Sequence, residues 1–334
     1  MDWDVRPVYD FVFSLSGEAG STDDLPAPDR AWLQASREAL DPDARAGVND
    51  LFESELAIHT GVLLVDVPAV RTSADFVDLV SDTSPEDLIA ALFADYHGNV
   101  DTTELLNRAL GGDADAIREL GEILPHWNKE GRFELLKDPA VAKARIVHVL
   151  ESWQGKFAEI ESRVASILER DYDGRAADRD RLPASELIEA TTGGLRYLPE
   201  AGVSRVILAP SYFSRPYNFL MGSRDWRLFG YPVADSALDP SDALTPPLAV
   251  VRLHRALGDE TRLRILKLLA SRDLYLTEIA QELDLSKPTI KHHLAQLRAA
   301  GLVTITESGT VMYYSLRRNR LDDASTEIKR FLVE

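Results

Sequence analysis

Gly258-Asp259-Glu260-Thr261-Arg262-Leu263-Arg264-Ile265-Leu266-Lys267-Leu268-Leu269, followed after a short spacer by Ser286-Lys287-Pro288-Thr289-Ile290-Lys291-His292-His293-Leu294, decides how the C-terminal part of this chain folds. Gly258 stops a preceding helix that opens at Pro247 and carries Leu248, Val251, Leu253 and Leu257 as its apolar face. Asp259 is placed to cap the next helix, which is apolar on most sides and suits a buried support. Thr277 is expected to cap a short helix ending at Leu283, with Ile279, Ala280 and Leu283 inward and the small Ala280 allowing a close crossing.

Ser286 is the expected N-cap of the following helix, and Pro288 is tolerated in a first turn whose N–H groups lack partners. Ile290, Leu294 and Leu297, at i, i+4 and i+7, fix its buried face. The opposite face then presents Lys287, Pro288, Lys291, His292, Ala295 and Arg298, with Thr289 at the edge and His293 on the packed side. Short polar and basic side chains near the N-terminus are what a helix entering the DNA major groove requires. Lys287 and Lys291 can reach phosphates or guanine edges, and Thr289 a phosphate or a thymine methyl.

Gly301 ends the helix; Leu302, Thr304 and Thr306 then alternate with Val303 and Ile305, and Val311, Tyr313 and Ser315 answer them across Glu307-Ser308-Gly309-Thr310, a two-stranded wing. The tip has Glu307 and no Lys or Arg, so Arg317, Arg318 and Arg320 just beyond it are expected to supply charge. The DNA-contacting set read from the sequence is therefore Thr277, Ser286, Lys287, Pro288, Thr289, Lys291, His292, Arg298, Ser308, Thr310 and Arg317. A last amphipathic helix, Leu321 to Val333, shows Ile328, Phe331 and Leu332 as an apolar patch suited to a second protomer.

Charge divides at the same place. From Leu248 onward there are 14 Lys+Arg and 11 Asp+Glu, a net of +3, against 23 and 44 before it, a net of −21. An acidic part repels phosphate while a mildly basic one attracts it, which fits one DNA-binding module joined to a larger module with another task. At 334 residues the chain is long enough for two or three domains. We place them at 1–235, acidic and mostly helical, and 248–334, with a Pro/Ser/Asp-rich linker at 236–247. The absence of Cys excludes disulfides and thiolate metal sites. The acidic start Met1-Asp2-Trp3-Asp4 and the lack of a membrane-length apolar run point to a cytoplasmic protein without a membrane partner.

The N-terminal part reads as helical over roughly 31–40, 44–59, 85–96, 102–110 and 113–124, with Asp29, Ser84-Pro85 and Asp113 as starts and Gly111-Gly112 as a stop. Val8 to Leu15 fits a helix or a strand. Leu150, Trp153, Phe157, Ile160, Val164 and Ile167 or Leu168 predict one long helix from about Pro139 to Asp171, spanning the domain or lying at a dimer interface. Val203–Ala209 and Trp226–Tyr231 read as paired strands. The fold class is thus mainly α, with a small β element and a C-terminal α+β winged helix.

No glycine-rich phosphate loop, nucleophile elbow or metal-ligand spacing is present, and His59, His97, His126 and His148 are scattered. No catalytic residue, metal site or cofactor is expected, and the chain is read as a non-enzyme. Arg215, Tyr217, Trp226 and Arg227 offer a cation and amphipathic rings for a small-molecule effector pocket; the same aromatics also fit the core of a small sheet or a seam against the winged module.

Residues of about 248–332 resemble the ArsR-type winged-helix family of bacterial transcription regulators. The resemblance rests on Ala256–Leu266, Leu285-Ser286-Lys287-Pro288-Thr289-Ile290, His292-His293-Leu294 and Leu297-Arg298-Ala299-Ala300-Gly301-Leu302-Val303, specific in combination. It implies a homodimer joined through the first and last helices of the module, bound to a pseudo-palindromic operator, usually as a repressor released by an inducer. Metal sensors of the family carry two Cys before the short helix; here Tyr275 and Thr277 stand there, and Leu321–Glu334 has no His. The expectation is a DNA-binding repressor that is not a thiolate metal sensor. The alternative is a winged module used for protein–protein contacts, attached to an unrecognised enzyme or scaffold.

Overall fold

The computed structural model describes residues 1–17, 19–20, 24–52, 59–93, 102–124, 132–238, 246–308 and 311–333. The N-terminal part contains helices α1 (Val8–Phe13), α2 (Ala27–Glu38), α3 (Pro42–Gly47), α4 (Ser73–Asp82), α5 (Pro85–Leu92), α6 (Thr103–Leu110), α7 (Ala114–Ile123), α8 (Pro139–Phe157), α9 (Glu161–Gly174), α10 (Ala176–Arg181) and α11 (Ala184–Thr191). Side-chain caps start several of them: Ser84 accepts from Asp87 N, Asp113 from Asp115 N and Ala116 N, and Asp138 from Val141 N. Asp29 does not cap. It lies inside the first turn of α2 and accepts from the Tyr212 hydroxyl at 2.6 Å. The helix expected over 44–59 is shorter: α3 gives way to a π-helical turn at Val48–Phe52, and residues 53–58 lie outside the described residues.

The long helix expected from Pro139 to Asp171 is two helices. α8 tightens at its end, with Glu159 N and Ile160 N donating to Lys156 O and Phe157 O three residues back, and α9 restarts at Glu161. Long-range contacts favour the break. Glu161 accepts from Ser73 N at 2.6 Å and Ser73 Oγ at 2.9 Å, binding the new helix to the start of α4. The apolar stripe survives it, since Trp153, Phe157, Val164, Ile167 and Leu168 are all buried.

Val8 to Leu15 resolves as a helix, because α1 is buried all round and its Asp10 is anchored to the sheet beside it. That sheet has the order β1-β3-β5-β4, from β1 (Asp2–Trp3), β3 (Arg205–Ser211), β4 (Phe219–Gly222) and β5 (Trp226–Pro232). β3 pairs parallel with β5, Ile207 opposite Leu228, and β4 returns antiparallel on β5. One face, with Ile207 and Leu228, joins the main helical core, while Leu208, Phe229 and Tyr231 pack with Ile188 of α11 on the other.

The C-terminal part folds as α12 (Leu248–Leu257), α13 (Glu260–Leu269), β6 (Leu274–Tyr275), α14 (Leu276–Leu283), α15 (Lys287–Ala299), β7 (Val303–Ser308), β8 (Val311–Leu316) and α16 (Arg318–Val333), around Leu253, Ile265, Leu266, Ile279, Ile290, Leu294 and Leu297. Its sheet contains one strand from elsewhere. β2 (Leu195–Arg196), just after α11, pairs parallel with β7 to give the order β2-β7-β8-β6. Ile305 N donates to Gly194 O at 2.9 Å, continuing the ladder. The N-terminal part thus supplies an edge strand to the wing.

Candidate nucleic-acid interface

The turn into α15 is set by Asp284, the one non-glycine residue described with a positive φ (54°). Aspartate tolerates this left-handed conformation better than most residues, and it lets Leu285 N return to Ala280 O at 3.0 Å. The chain then reverses to Ser286, whose Oγ caps α15 through Thr289 N at 3.3 Å. With the apolar stripe inward, Ser286, Lys287, Pro288, Thr289, Lys291 and His292 are all exposed on one outward face. Two lysines at the start of a capped, exposed helix carry charge to a phosphate backbone at little desolvation cost.

Arg262, which the sequence did not single out, orients part of this face. It donates to Ala256 O at 2.8 Å, to Arg255 O at 2.6 Å and to Gln296 Oε1, tying the end of α12 to α15. Because the Gln296 oxygen receives Arg262, its amide nitrogen donates to His292 Nε2 at 2.8 Å. In neutral His292 the ring proton is then on Nδ1, available for an outward hydrogen bond. His293 turns inward as expected, its Nδ1 3.8 Å from Asp259, and burial pulls its pKa below the usual value against that carboxylate.

Several site residues fall elsewhere. Thr277 is half-buried in the first turn of α14 and does not cap it; the cap is Glu278, which accepts from Tyr275 N at 3.1 Å. A carboxylate at the third helical position fills this role without a hydroxyl at the cap. Arg317 is withdrawn from the DNA side: it donates to Gly193 O at 2.7 Å and Gly301 O at 3.3 Å, and burial lowers its pKa. Arg320 is paired with Glu327 of α16, whereas Arg318 is exposed and reaches Ala270 O. Arg298 is half-buried in the last turn of α15. Of Ser308 only the backbone is described, and Thr310 lies outside the described residues.

The effector quartet does not assemble. Trp226 is part of the N-terminal core, and Arg227 is buried against Glu200, Ser223 O and Trp226 O. Arg215 donates to Asp24 O at 3.0 Å, to Val233 O and to Asp235. Adjacent strand residues point to opposite faces, which separates Trp226 from Arg227; only Arg215 and Tyr217 line the cleft beside the winged module. Among the described residues no group of three or more His, Cys, Asp or Glu is placed to hold a metal, and no helix is long and apolar enough to cross a membrane.

A three-helix core, a capped recognition helix with a basic N-terminal face and a paired wing define a winged helix-turn-helix DNA-binding regulator. Residues 259–304 match the family described as bacterial regulatory protein, arsR family. The transcriptional repressor SdpR of Bacillus subtilis is 36% identical over 80 residues, covering 24% of this chain and 89% of its own. The transcriptional activator HlyU of Vibrio cholerae is 36% identical over 82 residues, 25% of this chain and 69% of its own. A solved structure of HlyU is similar over 26% of this chain and 94% of its own, at 29% identity and a TM-score of 0.22. The chain belongs to the ArsR family through its C-terminal part, and that part is a DNA-binding transcription regulator. These relatives match the winged module and cover about a quarter of this chain.

Proposed function

We propose that the chain acts as a homodimeric, sequence-specific repressor whose N-terminal part senses an effector and performs no catalysis. The observation that carries the reading is the β2–β7 pairing, together with the Arg317–Gly193 bond: the N-terminal part holds the wing directly, so a change there reaches the DNA reader. Repression is supported by the likeness to the transcriptional repressor SdpR, matched over most of its length. Dimerisation is supported by α16, where Leu332 and Val333 are 71% and 85% exposed.

The test is binding of the purified full chain to duplex DNA from its own promoter, followed by fluorescence anisotropy. Lys287→Ala/Lys291→Ala is expected to weaken binding at least about tenfold and to reduce the salt slope by about 2, roughly one per lost phosphate contact. Unchanged affinity with the fold intact would remove α15 from the interface. Sedimentation of the free protein reads the dimer, and a promoter reporter that rises when the chain is deleted reads repression.

A further inference from the structure

Where the N-terminal part meets the winged module, an open cleft of about 2050 Å³ is bounded by the end of α11, the Arg215–Asn218 loop, α12, the end of α15 and α16. Among the described residues, ten arginines and five carboxylates line it, in a chain whose net charge is −18. The cations are concentrated on one wall. Arg252 donates to Ala299 O at 3.3 Å, Arg320 to Ala300 O at 3.4 Å and Arg317 to Gly301 O at 3.3 Å, so three guanidiniums hold successive carbonyls at the end of the recognition helix. Those carbonyls carry only partial negative charge. The guanidinium of Arg317 donates to the backbone oxygens of Gly193 and Gly301, and burial lowers its pKa despite the nearby charges of Glu189 and Asp323.

The same walls hold polar atoms that are shielded from water and lack a hydrogen-bond partner: Arg252 Nη2, Trp32 Nε1, Thr191 Oγ1 and Asn218 Oδ1. An unpaired buried polar atom is costly, and a guest that supplies the partner after small side-chain rotations offsets that cost. Two are donors, one is an acceptor and one is a hydroxyl that can be either. The apolar flank is provided by Leu25, Ile160, Ile167 and the ring of Tyr212.

We propose that this cleft is a binding site for an organic anion, a carboxylate- or phosphate-bearing molecule with an apolar body and a hydrogen-bond donor, seated against the arginines that collar the end of α15. The site deepens the effector reading given above and supplies its location. An anion there competes with the Ala299–Gly301 carbonyls for the guanidiniums, and with Asp24 for Arg252 and Glu327 for Arg320, and so acts on the recognition helix at the end opposite its DNA-reading face.

The experiment uses 8-anilino-1-naphthalenesulfonate, which has an aromatic body, an N–H donor and a fixed negative charge, titrated into the full chain and read by fluorescence. One saturable site per folded chain is expected, with the uncharged analogue N-phenyl-1-naphthylamine binding at least about tenfold more weakly, as loss of a charge-assisted hydrogen bond implies. Arg252→Met should weaken the anion by a similar factor. Arg255→Glu, at an exposed lining residue, supplies a second variant, its fold checked by circular dichroism. Absence of saturable binding, equal binding of the neutral analogue, or wild-type affinity in a folded Arg252→Met and in Arg255→Glu would overturn the proposal. No DNA is present, so a failure here is distinct from failure of the promoter-binding test.

Discussion

Asp10 is fully buried on α1, and its carboxylate receives Ser211 Oγ at 2.6 Å, Phe213 N at 2.8 Å and Tyr212 N at 2.9 Å. Burial pushes its pKa up to about 6, against the lowering effect of those three donors. A carboxyl whose folded pKa lies above its unfolded value binds protons more tightly in the native state. Its contribution is complete below the unfolded pKa near 3.8 and is lost as pH rises through about 6. Between those limits the native state should lose up to about 3 kcal/mol relative to acid conditions. Denaturant unfolding of the wild type and Asp10→Asn across this range isolates the effect, because the variant cannot titrate there; parallel pH profiles would sink it. Nothing local marks Asp10 in the sequence. Its partners lie some 200 positions away, and a single Asp in an apolar run reads only as an interruption. The face of α15 was legible because its determinants are local, a Ser cap and apolar residues at i, i+4 and i+7. Arg317 is the converse case: an Arg just past a wing suits phosphate, and only the fold brings Gly193 to it.

At the scale of elements, the same contrast separates the wing hairpin from the strand that edges it. The hairpin alternates apolar and polar positions across one short turn, and its observed register, Thr304 opposite Ser315, follows that pattern. β2 is two residues long and its partner lies about 110 positions ahead, so no period or turn signal can reveal it. The one trace in the sequence is Gly193-Gly194. Gly194 has a φ of +122°, and a Cβ there would sit 2.9 Å from Val303 O. Gly194→Val should therefore cost about 1–3 kcal/mol in backbone strain and release β2 from β7. Hydrogen exchange should show the Ile305 amide, which donates to Gly194 O, losing protection while Ile265 in the module core keeps its own. Retained protection at Ile305 would mean that the strand tolerates the side chain. The split of the expected long helix follows the same rule, since the Glu161–Ser73 bonds that favour it join residues 88 positions apart.

Across the whole molecule, the two parts are joined by charge as well as by strand pairing. Arg252 of α12 is paired with Asp24, and Asp235 links Arg215 to the backbone N–H of Ala249 at the start of α12. α9 braces the same corner, with Asp171 accepting from Ala234 N at 2.7 Å and Arg170 donating to Ala237 O at 2.8 Å. Burial works against ionisation of Asp235, yet Arg215, the Ala249 N–H and Arg252 together hold its carboxyl below the usual range. A depressed carboxyl stabilises the native state above its unfolded pKa, and that contribution is lost as pH falls through the folded value. The corner is consequently fully formed at neutral pH. Removing one partner of a buried charge pair leaves the other uncompensated, so Asp24→Asn/Asp235→Asn should weaken the junction far more than either core. Calorimetry at neutral pH is expected to resolve two melting transitions in this variant where the wild type gives one, because each part keeps its own hydrophobic cluster. The anionic probe should also bind the variant differently, since Asp24 and Asp235 neutralise part of the arginine wall that it would meet. A single transition at the wild-type temperature would show that the β2–β7 ladder couples the parts without these carboxylates, and that they are dispensable to the junction.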